Sequence, residues 1–257
     1  MSPALKGRLR QHVTREASVM TISLICLPYA GGSAQVYKRW TNRLHPGVRL
    51  VPAELAGRGS RMDEPFYADA AEAVRDLLPL VRETALGSDS YALFGHSMGS
   101  LLGYEVLHAL REEGFPLPAA VFLSGRGAPH CEQKETRRTH MLPDDEFLEE
   151  LKRLGGMPGE LFRHRELLDM FMPILRADFK LVGEYEHRMR PQLPLRLTIL
   201  SGKDDGSVKG PLGEWERYAT GGCELMPFEG GHFFLHERER DVVAAINKML
   251  TEAPAPI

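Results

Sequence analysis

The sequence predicts an α/β fold, a mostly parallel sheet flanked by helices, and three observations carry that expectation. Short continuous apolar runs, the pattern of strands buried on both faces, alternate with segments of helical period. One run enters Gly95-His96-Ser97-Met98-Gly99 and passes at once into a helical stripe of Leu101, Leu102, Val106, Leu107 and Leu110, the sequence form of a nucleophile elbow. Two later runs end in an aspartate pair and a histidine, so the chain order is Ser, Asp, His. At 257 residues the chain is long enough to bury a large core as a single domain.

Taken in order, residues 1–20 carry Lys6, Arg8, Arg10 and Arg15 with little apolar period, which predicts a mobile extension and makes Met20 an alternative start. Residues 21–27 read as the first strand. A glycine-rich turn, Pro28-Tyr29-Ala30-Gly31-Gly32-Ser33, leads into a helical pattern through Val36, Trp40 and Leu44. Such a turn between strand and helix can cradle a phosphate, but it lacks the lysine and spacing of a P-loop and is not G-x-G-x-x-G. An elbow needs a second oxyanion donor from an early strand-to-helix loop, and Ala30 N–H is assigned that role. Residues 48–51 form the next strand, and a polar loop with Arg58 and Arg61 precedes a helix over 69–86. The elbow strand and helix follow, then a strand over 119–124.

Residues 130–193 differ in character. Asp144 is a good N-cap for a stripe of Phe147, Leu148, Leu151 and Leu154, and residues 161–185 are rich in Leu, Met and Phe, interrupted by Pro173. An insertion of this kind between two sheet strands predicts a helical lid that makes an apolar chamber and excludes water. A strand over 195–200 ends in Gly202-Lys203-Asp204-Asp205, and a strand over 223–228 ends in Glu229-Gly230-Gly231-His232. A closing helix over 235–250 carries His236, and residues 252–257 form a frayed tail.

These residues predict an acyl-serine chemistry. Ser97 is a weak nucleophile until a base takes its proton, and His232 is the histidine that follows a late strand in a glycine turn. An acid must hold the imidazole tautomer; Asp204 and Asp205 both compete, with Asp205 favoured by its spacing after Gly202. Met98 N–H and Ala30 N–H would receive the oxyanion. His96 is locked inside the elbow, and His45, His108 and His164 read as surface or packing residues. The alternatives on the same scaffold are a small-molecule esterase or lipase and, against the presence of a full triad and both oxyanion loops, a non-catalytic interaction protein that keeps the fold.

The formal charge of −3 leaves no global basic footprint, so nucleic acid is a poor candidate partner. Cys26, Cys131 and Cys223 are odd in number and widely spaced, which predicts reduced thiols in a cytoplasmic protein and neither a disulfide frame nor a metal site. No apolar run approaches a membrane span, and no cofactor motif is present.

The chain resembles the stand-alone type II thioesterases of polyketide synthases and nonribosomal peptide synthetases. The resemblance lies in Pro28-Tyr29-Ala30-Gly31-Gly32, Gly57-Arg58 with Arg61 and Glu64-Pro65, Gly95-His96-Ser97-Met98-Gly99, and Ser124-Gly125-Arg126 with Ala128-Pro129. It continues through Leu142-Pro143-Asp144, Gly155-Gly156-Met157-Pro158, Leu175-Arg176-Ala177-Asp178 and Gly230-Gly231-His232-Phe233-Phe234-Leu235. It implies an α/β-hydrolase fold with a helical lid, a triad of Ser97, Asp205 and His232, no cofactor, and hydrolysis of acyl groups from the phosphopantetheine arm of carrier domains. Two departures stand out: Ala56 where the family usually has Pro, and Asp205-Gly206 where it more often has Asp-Pro. About twenty residues before the first strand cannot hold a carrier domain, so the acyl or peptidyl carrier is expected in trans and the enzyme as a monomer. Arg58, Arg61, Arg126, Arg137 and Arg138 are candidates for meeting an acidic carrier helix.

Overall fold

The inner strands of the sheet alternate their side chains between two buried layers, which is why they read as near-continuous apolar runs. Ile25 and Leu27 enter one core with Leu93, Leu123 and Ile199, while Leu24 and Cys26 enter the other with Phe94, Phe122 and Leu200. The computed structural model describes residues 21–131, 138–154 and 165–252. The six strands are β1 (Ile22–Leu27), β2 (Val48–Pro52), β3 (Ser90–His96), β4 (Ala120–Ser124), β5 (Leu197–Gly202) and β6 (Cys223–Phe228). They form one parallel sheet in the order β2-β1-β3-β4-β5-β6. The N-terminal extension, the 252–257 tail beyond Glu252, Arg137, His164 and Gly155-Gly156-Met157-Pro158 lie outside the described residues.

Helices α2 (Ala70–Leu86) and α3 (Met98–Glu112) cover the first core. The second is closed by Tyr37 and Trp40, by α6 (Phe234–Glu237) and by α7 (Glu239–Glu252). Helix α2 begins where the sequence puts it, because the Asp69 carboxylate accepts the Glu72 N–H at 2.8 Å while Glu72 reaches back to the Ala68 N–H at 2.6 Å. A cap of this kind is worth about 1 kcal/mol. Between β4 and β5 stand α4 (Asp144–Leu154) and α5 (Arg165–Gly183). Phe147 and Leu151 of α4 pack on Met172 and Leu175 of α5 in a third, separate apolar cluster.

Four boundaries differ from the sequence expectation. The helix expected through Val36, Trp40 and Leu44 is a single turn, α1 (Gln35–Lys38); Trp40 and Leu44 are buried from turns. Pro173 does not interrupt α5: the carbonyl that its missing N–H would have reached belongs to Asp169, an exposed residue whose oxygen water can satisfy. Strand β5 starts two residues late, because Leu195 N–H closes a tight turn on Leu193 O at 2.9 Å. The closing helix breaks at Arg238, whose φ of −110° and ψ of 27° are not helical, leaving His236 on the one-turn α6.

His108 is 2% exposed, lies edge-on to Tyr104 at 4.7 Å and has no partner for Nε2 among the described residues. Burial, with the Arg190 and Arg111 charges, pushes its pKa down to about 4. The folded state therefore holds the neutral ring, while the unfolded chain takes up a proton near pH 6.5. Its contribution to stability is present above about pH 6.5 and is lost as pH falls toward 4, by at most about 3 kcal/mol. Urea unfolding of His108→Leu is expected to show a shallower loss of stability than the parent across that window, and equal slopes would refute it.

Candidate active site

The site forms where the order of the strands reverses. From β1 the chain steps to β2 on one side, and from β3 onward it builds on the other. The crevice at such a switch point, beyond the carboxyl ends of the strands, is where sheets of this kind bind ligands. Leu27 of β1 pairs with Gly95 of β3, so the Ala30 loop and the Ser97 turn leave neighbouring strand ends side by side.

Ser97 has φ 54° and ψ −110°, a strained backbone for a residue with a side chain. Glycines make the turn possible. A Cβ on Gly95 would stand 2.1 Å from Gly99 O, and one on Gly99 would stand 2.1 Å from Leu27 O. Ser97 N–H donates to Ser124 O at 2.8 Å, and Ser100 Oγ lies 2.8 Å from Gly95 O and 2.7 Å from Ser124 O, tying the turn to β4. Met98 is the first residue of α3, so its N–H has no acceptor within the helix.

His232 comes from beyond β6, three strands away, and its loop leans back over the sheet ends until its ring is 5.0 Å from that of His96. The lean needs a close backbone approach at β5: a Cβ on Gly202 would stand 2.3 Å from Gly231 O. His232 Nδ1 is 2.8 Å from Asp205 Oδ2, and the Asp205 side chain is fully buried. Ser207 Oγ donates to Asp205 Oδ1 at 2.6 Å and also lies 2.8 Å from His232 Nδ1. Burial by itself would raise the Asp205 pKa. The hydrogen bond and charge of His232, with the two donors of Ser207, outweigh it and hold the carboxyl below its ordinary value. Asp204 is exposed, and its N–H donates to Gly230 O at 3.0 Å.

Ser97, His232, Tyr29, Ala30 and Phe233 line a cavity of about 50 Å³, closed by Leu151 and Leu154 of α4 and Leu175 and Phe179 of α5. A polar cavity of about 220 Å³ lies on the other side of His232, Phe233 and Leu154, bordered by Arg153, Asp204, Asp205, Ser207 and Glu237. His96 is fully buried with Nδ1 2.8 Å from Ser124 Oγ, and burial and the neighbouring His232 and His236 hold its pKa well below the ordinary value. His236 Nε2 is 2.9 Å from Tyr29 Oη.

The carrier-facing role expected of three of the arginines does not survive. Arg58 and Arg126 are 2% and 8% exposed, so neither can meet a partner's surface, and Arg61 is engaged with Glu64 and Asp76. Arg58 instead forms a two-pronged pair with Asp178 of α5, at 2.5 and 2.7 Å. The phosphate-cradle reading of the early turn also fails, since Asp178 Oδ2, an anion of the chain itself, accepts the Gly31 N–H at 2.7 Å. Ser207 and Asp178 went unnoticed as site residues in the sequence. Asp178 had two signals, its place in the Leu175-Arg176-Ala177-Asp178 motif of the resemblance and a carboxylate on the same helix face as Leu175 and Phe179. Among the described residues no group of three or more His, Cys, Asp or Glu could hold a metal ion, and no helix is long and apolar enough to cross a membrane.

A family model described as thioesterase domain matches residues 22–250. The linear gramicidin dehydrogenase LgrE of Brevibacillus parabrevis is 34% identical over 246 residues, covering 94% of this chain and 91% of that protein. Thioesterase PikA5 of Streptomyces venezuelae is 32% identical over 232 residues, covering 89% and 81%. The crystal structure of ClbQ, from the colibactin nonribosomal peptide and polyketide pathway, superposes with a TM-score of 0.84 at 33% identity, covering 91% of this chain and 98% of that one. With a match over nearly its whole length and the sheet that such enzymes share, the chain belongs to the thioesterase domain family, as a thioester hydrolase on the α/β-hydrolase fold.

Proposed function

We propose that this protein is a type II thioesterase that hydrolyses acyl groups from the phosphopantetheine arm of carrier domains, in trans, through an acyl-serine. The observation that carries the reading is the small apolar cavity with Ser97 and His232 in its wall and leucines and Phe179 opposite them. Ser97 Oγ attacks the thioester carbonyl as His232 Nε2 takes its proton, and Asp205 holds the ring through Nδ1. Ala30 N–H and Met98 N–H receive the oxyanion. The thiol leaves with the proton from His232, and a water molecule, deprotonated in turn by His232, releases the acid. The chemistry asks for no cofactor. Residues 130–193 act as a lid on a single domain formed by residues 21–251, and a long acyl chain requires α4 and α5 to part, because the cavity is only about 50 Å³.

The carrier-bound substrate is supported by the names of relatives, a thioesterase and a protein of a nonribosomal peptide and polyketide pathway. The dehydrogenase activity in the name of LgrE has no support in this sequence, whose strand-to-helix turns lack the G-x-G-x-x-G dinucleotide fingerprint. The enzyme is proposed to work as a cytoplasmic monomer. The test compares one acyl group on a carrier domain, on a free pantetheine thioester and on an oxygen ester. The carrier-bound thioester is expected to give the highest kcat/KM, by about tenfold or more. Equal rates on carrier and free substrates, with efficient ester cleavage, would identify a small-molecule esterase instead.

A further inference from the structure

The Arg58–Asp178 pair is buried, with each side chain 3% exposed, and both partners hold the turn that carries Ala30. Asp178 Oδ2 accepts the Gly31 N–H at 2.7 Å, and Arg58 Nη1 donates to Gly32 O at 3.2 Å. The turn itself is closed by Gly32 N–H on Tyr29 O at 2.8 Å, with Gly31 at φ +78° in its third position. In a turn of that form the central peptide can flip at little steric cost, because glycine accepts either sign of φ. A carboxylate on the Gly31 N–H removes that freedom, since the flipped peptide would aim the Ala30 carbonyl at a buried anion; the Ala30 N–H lies in the preceding Tyr29–Ala30 peptide and is held through the turn that this contact anchors. Helix α5 adds a steric hold: a Cβ on Gly31 would stand 2.5 Å from Leu175 Cδ2. Leu175, Asp178 and Phe179 share one face of α5, so the residues that wall the cavity and the residue that grips the turn move as one body.

We infer that Asp178, held by Arg58, is a positioning residue for the oxyanion turn, so that the Ala30 donor is in place only when α5 is docked. The inference rests on the proposed role of Ala30 N–H. It divides the insertion into a fixed wall, α5, and a part left free to open, α4. A purely structural role would make the pair replaceable by any well-packed neighbours, as buried ion pairs often are.

The experiment compares Arg58→Met/Asp178→Leu with Arg58→Met/Asp178→Asn in the full chain, after thermal melting has shown each to be folded. The leucine variant has no acceptor for Gly31 N–H and is expected to lose about 100-fold in kcat with KM within about threefold. The asparagine variant keeps an acceptor oxygen without either charge and is expected to stay within about tenfold of the parent. An alkyl boronic acid, whose tetrahedral adduct at Ser97 mimics the transition state, should lose affinity in step with kcat. Parent-like kcat in the folded leucine variant overturns the inference. If that variant does not fold, an asparagine variant losing 100-fold or more overturns it instead. Residual full activity in Ser97→Ala would remove the underlying reading of the site, a failure distinct from either.

Discussion

Replacing Ser97 by alanine is expected to lower kcat on an acyl-carrier thioester by about 10⁴- to 10⁶-fold while leaving the fold and carrier binding intact. The loss is this large because the other parts of the site have nothing to act on without the nucleophile: His232 has no hydroxyl to deprotonate, and the turn donors have no covalent adduct to stabilise. The fold should tolerate the change, since the glycines that permit the turn are Gly95 and Gly99, and alanine at the φ of 54° keeps the same Cβ as serine. Mass spectrometry of the parent, quenched during turnover, should trap an acyl group on Ser97, and the variant should trap none. Retained hydrolysis by a folded Ser97→Ala protein would refute the acyl-serine mechanism. Retention of the cellular role by the inactive variant would favour the interaction-protein alternative.

Asp205→Asn is expected to reduce kcat by about 10³- to 10⁴-fold, whereas Asp204→Asn should stay within about threefold of the parent. The asymmetry follows from the hydrogen bonds around Asp205. Its Oδ1 takes two donors from Ser207, at 2.6 and 3.0 Å, so an asparagine keeps its oxygen there and turns its NH₂ toward His232 Nδ1. The ring must then place its proton on Nε2, the atom that has to receive one from Ser97. The Asp204 side chain is exposed, and its structural contact is through the backbone N–H, which asparagine retains. Kinetics of the two single variants on one acyl-carrier substrate check this, and a loss at Asp204 equal to that at Asp205 would reverse the assignment.

Much of this architecture was legible because it depends on local pattern. Burial on both faces makes the inner strands near-continuous apolar runs, and the helical spacing of Ala73, Val74, Leu77, Leu78 and Val81 marks α2. The elbow was legible for a stronger reason: at Gly95 and Gly99 any other residue would collide with backbone, so the steric demand is written in residue type. The misread boundaries share a different cause. Trp40 and Leu44 have helical spacing, but they reach the core from turns, and spacing alone does not distinguish the two. Nothing in the apolar stripe of residues 235–250 marks Arg238 as the point where the helix breaks.

By itself, the sequence determined the parallel sheet, the position of Ser97 at a strand-to-helix turn, and a histidine beyond a late strand. Each follows from periodicity or from a steric requirement within a few residues. Only the tertiary structure decided which polar groups meet. Two adjacent aspartates look alike in sequence, and the 2.8 Å contact to His232 belongs to Asp205. Arg58 looks like a solvated loop residue until the fold brings Asp178, 120 positions later, to within 2.5 Å. Charged groups have no periodicity that reports their partners, and their pairing depends on long-range geometry, which apolar patterning sets without naming.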